Sequence, residues 1–168
     1  MLLRELHIVA STFWAGAVFF MISFILPAVR KAGPDGKGFM KALMGGTKVL
    51  VALPMAGLAT IASGFALFMK DMGGMGPEWA MSRTGMAYGI GAVTGIIALV
   101  IGAMVSRPAS LRLVAMGDEI AAVGGTASPT QVAEMQALQG TMARALRTVA
   151  WLLTVALVAM VAARNIYG

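Results

Sequence analysis

Four runs of about twenty apolar residues decide what this chain can become. They lie at about 6–29, 49–69, 84–105 and 145–163. A bilayer core about 30 Å thick is crossed by roughly 20 helical residues rising 1.5 Å each. None of the runs alternates as a barrel strand does, so helices are the remaining way to satisfy every backbone group in lipid. The fourth run is short, but Ala145 and Leu146 extend it toward Arg144 and Arg147, whose long stems can snorkel. Composition agrees: 59% of residues are hydrophobic and 12% charged, whereas about a quarter of a soluble domain is charged. Too few charges remain to cover a globule in water. The expected fold class is therefore all-α, a polytopic membrane protein whose residues 1–168 form a single four-transmembrane-helix bundle.

The first run is longer than the 7–15-residue apolar core of a signal peptide. No convincing small-x-small cleavage site follows before Arg30, so a retained helix is expected. The connection between runs one and two carries Arg30, Lys31, Lys37, Lys41 and Lys48, and that between three and four carries Arg107, Arg112, Arg144 and Arg147. The other side holds only Arg4, Lys70, Arg83 and Arg164. The positive-inside rule puts both basic connections in the cytoplasm and both termini outside. In a bacterial inner membrane that outer side is the periplasm. The basic residues form no patch with interleaved aromatics, so the +6 net charge reads as topology and not as nucleic-acid binding.

The connection between runs three and four is patterned. Leu111, Val114, Ala115, Ile120 and Val123 continue an apolar helical stripe, and "GGTASPT" interrupts it. Ser128, Pro129 and Gln131 have the spacing of a helix cap, and Val132, Met135, Leu138 and Met142 carry a new stripe into the fourth run. This predicts a cytoplasmic helical hairpin over about 108–142, turning near Gly124 and Gly125; the competing reading is a segment lying flat on the inner membrane surface. The third run also holds Gly85, Gly89, Gly91, Gly95 and Gly102, spacing that lets helix backbones approach closely in lipid.

Function is less constrained. No Asp, Glu, Lys or Arg falls in the middle of any run, whereas ion pumps and voltage sensors place such groups at membrane depth. With no cysteine, disulfides, zinc-thiolate sites and iron–sulfur clusters are excluded. What remains gathers at the outer end: His7, the sole histidine, with Lys70, Arg83 and Arg164, near Trp14 and Trp79. An imidazole for iron, aromatic walls and cations for two propionates are what b-type haem requires. The competing reading of His7 is an amphipathic ring at headgroup level. A separate cluster, Met69, Met72 and Met75, offers soft thioethers of the kind that take Cu(I).

The stretch "LHIVASTFWAGAVFF…LPAVR" resembles the first helix of a family of small four-helix membrane proteins. That family comprises copper-resistance-D-like proteins and, more distantly, HemJ-type protoporphyrinogen oxidases. The resemblance rests on Leu6, His7, Trp14, Ala15, Gly16, Phe19, Phe20 and Pro27, and the closing "AMVAARNI" looks like the family's last helix. It implies that His7 binds haem b and that the protein acts in electron transfer or redox chemistry. In the HemJ type a lysine four residues after a tryptophan assists; here "WAMSR" places Arg83 after Trp79. A guanidinium stays protonated and cannot ligate iron, which departs from the oxidase pattern and leaves a propionate as its partner. The sixth iron position would fall to Met86 or to His7 of a second copy in a homodimer. Two other readings stand beside haem. One is a non-catalytic subunit of a larger membrane complex, and the other is copper handling through the Met cluster.

Overall fold

The computed structural model describes residues 1–165. The last of the "AMVAARNI" residues, Ile166, lies outside them. Five helices account for nearly all of the described chain: α1 (Leu2–Ala32), α2 (Pro34–Gly46), α3 (Val49–Met75), α4 (Arg83–Ala122) and α5 (Pro129–Asn165). All but α2 are long and apolar enough to cross a membrane, consistent with an integral membrane protein. The helices overrun the apolar runs at several ends, because helical propensity and capping do not stop where hydropathy does.

Two of the long helices change pitch, and proline is the cause. Met21–Ile25 in α1 and Gly102–Ser106 in α4 are single π-turns. Each ends two residues before a proline, Pro27 or Pro108. Proline lacks the N–H for the next bond and its ring strikes the carbonyl four residues back. A widened turn moves that carbonyl aside, so the helix continues instead of breaking. Pro54 lies inside α3 and likewise deprives the Leu50 carbonyl of its helical partner.

The sequence reading treated residues between the first two spans as a loop. They fold instead into α2, thirteen residues long. Gly33, at φ +60°, supplies the left-handed residue that turns the chain out of α1. Pro34 then opens the new helix at a position where its missing N–H costs nothing. Helix α2 packs on the far part of α4: Lys41 pairs with Asp118 at 2.8 Å, and Gly45 lies against Val114.

Packing is closest within two pairs, α1 with α3 and α4 with α5. Gly91 of α4 makes the second pair possible. A Cβ there would lie 2.7 Å from Met160 Cε and 3.3 Å from the Ala156 carbonyl of α5. Past the apolar spans the same two helices stay in contact. Arg112 reaches Glu134 at 2.8 Å and Glu119 at 2.9 Å, and the Ser110 hydroxyl lies 3.2 Å from Met142 Sδ. Between them Gly124 and Gly125 have positive φ. The Ser128 hydroxyl accepts from the Gln131 N–H (3.2 Å), and the Gln131 side chain accepts from the Ser128 N–H (2.9 Å), a reciprocal capping box. At the other end, Trp79 on a 3₁₀ turn (Pro77–Met81) is buried between Phe68 of α3 and Tyr88 of α4.

Candidate functional site

His7 sits two turns into α1 and leans on α3. Its Nδ1–H donates to the Thr60 carbonyl at 2.9 Å and lies 3.3 Å from Ser63 Oγ. Both partners settle the tautomer. A carbonyl only accepts, and its second lone pair is free for such a bond. The Ser63 hydroxyl proton is directed to the Ala59 carbonyl (2.5 Å) or to Thr60 O (3.1 Å), so toward His7 its oxygen accepts as well. In the neutral ring the proton therefore resides on Nδ1 and the lone pair on Nε2. Among the described residues no protein group is bonded to Nε2.

Room for the ring comes from Gly64. A Cβ at that position would stand 2.8 Å from His7 Cε1 and 3.1 Å from Nδ1, closer than side chains approach. Trp14, seven residues on, meets Gly57, seven residues back: a Cβ there would lie 3.2 Å from Trp14 Cε2. Seven residues are about two turns, or 10.5 Å, on either helix. The antiparallel pair α1/α3 is thus registered by two rings set into two glycine notches. Thr60 and Ser63 lie between the notches, on the same buried face of α3.

Of the residues singled out from sequence, His7 is one that the structure brings into a polar constellation, with Thr60 and Ser63. Trp14 is 5% exposed and packs with Ala15, Val18, Ala98, Val149 and Leu153 at the centre of the bundle; its surface is spent on the core. Trp79 stacks with Phe68 and Tyr88. Lys70, Arg83 and Arg164 are exposed on α3, α4 and α5. Met86 is 47% exposed. Met69, Met72 and Met75 all fall on helix α3, which runs on to Met75. They follow one another along one side of that helix, Met69 and Met75 being 44% and 48% exposed.

Thr60, Ser63 and Gly64 are the site residues that sequence reasoning missed. The signal was present as three small or hydroxyl residues on one face of an otherwise apolar helix. Nothing in the linear chain pairs that face with His7, fifty-odd residues away. Comparison with protein-family models, curated proteins and solved structures gave no match.

Proposed function

We propose that this chain is an integral membrane protein in which His7 would hold the iron of a b-type haem, and that it serves in electron transfer. The observation that carries the reading is the state of the imidazole. Nδ1–H is held by a backbone carbonyl and a hydroxyl, and Nε2 is left with a free lone pair. That is the arrangement by which proteins orient a metal-binding histidine and raise its basicity. The positive-inside balance supports an orientation with both termini on the periplasmic side of a bacterial inner membrane and the α4–α5 hairpin in the cytoplasm.

The residues fit haem in part. Thr60 and Ser63 fix the ring plane, and Gly64 lets it approach α3. Lys70, Arg83 and Arg164, exposed at the outer helix ends, are available to propionates; Arg83 serves as a charge and not as a ligand. Trp14 and Trp79 do not serve as walls, because each is already packed against the protein. The macrocycle would therefore rest against the partly exposed side of His7, and a homodimer would supply a second imidazole there. When bound, haem supplies a one-electron couple.

The same hydrogen bond favours one other reading, a non-catalytic subunit in which His7 only pins α1 to α3. Absorption spectra of the detergent-purified protein, oxidised and dithionite-reduced, separate the two. Haem binding gives b-type bands that vanish in His7→Ala. A colourless protein from haem-replete cells overturns the haem reading and leaves the structural one.

A further inference from the structure

We propose that the basic end of the bundle binds an anionic phospholipid, one acyl chain of which enters a cleft between the four long helices. The proposal rests on those helices being membrane spans and is independent of His7 and haem. The cleft measures about 90 Å³. Drug-sized ligands occupy pockets of about 300 Å³ or more, so this one admits a stretch of alkyl chain and no macrocycle. Its walls are carbon, from Val18 and Met21 of α1, Leu53 of α3, Leu99 of α4 and Val149 of α5.

Ser106 breaks that pattern. The residue lines the cleft, and its hydroxyl is, among the described residues, the buried side-chain polar atom with no hydrogen-bond partner. Helical Ser and Thr normally donate to a carbonyl one turn back, as Thr60, Thr94, Ser110 and Thr154 do here. Ser106 ends the π-turn, where the Gly102 carbonyl one turn back accepts from the Arg107 N–H instead. A buried hydroxyl without a partner is destabilising and so marks a place for an acceptor. Water is a poor candidate, since it needs two to four polar partners. The neighbouring Ser110 hydroxyl is already committed to the Ser106 carbonyl and Met142 Sδ.

The rest of the ligand follows from order along α4. From the bundle centre outward come the carbon wall at Leu99, the hydroxyl of Ser106 and the exposed cation of Arg107. Lys48 is exposed just before Val49 on the adjoining wall. Acyl chain, ester carbonyl and phosphate succeed one another in the same order in a phospholipid. The pitch changes in α1 and α4 and the proline in α3 all fall beside this cleft, where irregular backbone is tolerated because it lines a cavity.

The test uses the full chain in phosphatidylcholine nanodiscs doped with phosphatidylglycerol that carries a photoactivatable acyl chain. Crosslinks are mapped by peptide mass spectrometry. They are expected on residues 50–54 and 102–110, with phosphatidylcholine bearing the same label reacting there severalfold less. Arg107→Gln lowers the yield about fivefold, as one basic side chain near an anionic headgroup is worth. Gly102 lines the cleft and a Cβ there meets nothing within 4 Å. Gly102→Leu therefore fills the cleft without a backbone clash and abolishes the crosslinks while helix content persists. Equal yields from the two lipids, yields unchanged by Gly102→Leu, or competition by free fatty acid but not by phosphatidylglycerol would each overturn the proposal. Flotation with liposomes after carbonate washing tests membrane insertion separately.

Discussion

Replacing Gly64 by alanine isolates the contact on which the candidate site depends. The new methyl would lie 2.8 Å from His7 Cε1, so the ring must swing away and surrender its bonds to Thr60 and Ser63. An interhelical hydrogen bond in lipid is worth about 0.6–2 kcal/mol, and displacing a packed ring adds a similar amount. Against this, alanine is favoured over glycine inside a helix by about 1 kcal/mol. Gly64→Ala alone should therefore be neutral to destabilising by about 1–2 kcal/mol. In a His7→Ala background the obstacle is gone, and the same substitution should stabilise by about 1 kcal/mol. The quantity to measure is the coupling energy of this cycle, about 1–3 kcal/mol, by SDS titration in mixed micelles followed by far-UV circular dichroism. Equal effects of Gly64→Ala in the two backgrounds would refute the reasoning. They would mean that His7 does not occupy the notch.

Two further outcomes are expected. Gly91→Ala should be neutral to destabilising by up to about 2 kcal/mol: its Cβ meets the Ala156 carbonyl of α5 at 3.3 Å, a backbone contact costing about 1–3 kcal/mol, against about 1 kcal/mol for alanine's helix preference; unfolding in the same micelles checks this. The chain has no cysteine, so Arg4→Cys and Thr126→Cys report topology directly. A membrane-impermeant maleimide applied to intact spheroplasts should label Cys at 4 and spare Cys at 126, and the reverse pattern would invert the orientation.

The coarse architecture was legible because lipid imposes a simple rule. A helix that must satisfy its own backbone and clothe itself in carbon leaves an unbroken apolar run, and all four were countable. The cap at Ser128 was equally legible, since a capping box is local and needs only residues three apart. Helix α2 was missed because "GPDGKGFMKALMGG" is rich in glycine and its helicity comes from docking on α4 through Lys41 and Val114. The glycines of α4 were recognised as packing residues, and Gly91 serves that end against α5.

His7, by contrast, could be named from sequence and not understood from it. That a lone imidazole heads the first span is a linear fact. Whether it faces lipid, an aromatic wall or another helix depends on the register of α1 against α3, which two glycine notches set at long range. Sequence could offer Trp14 as a wall for a cofactor, and only the packed bundle assigns that ring to the core. The hydrogen bonds of His7 Nδ1, the unpartnered hydroxyl of Ser106 and the cleft that this residue lines are likewise tertiary facts. Each arises where one helix's irregularity meets another helix's surface. Hydropathy fixes how many helices are apolar enough to span; the shapes of their small residues fix what lies between them.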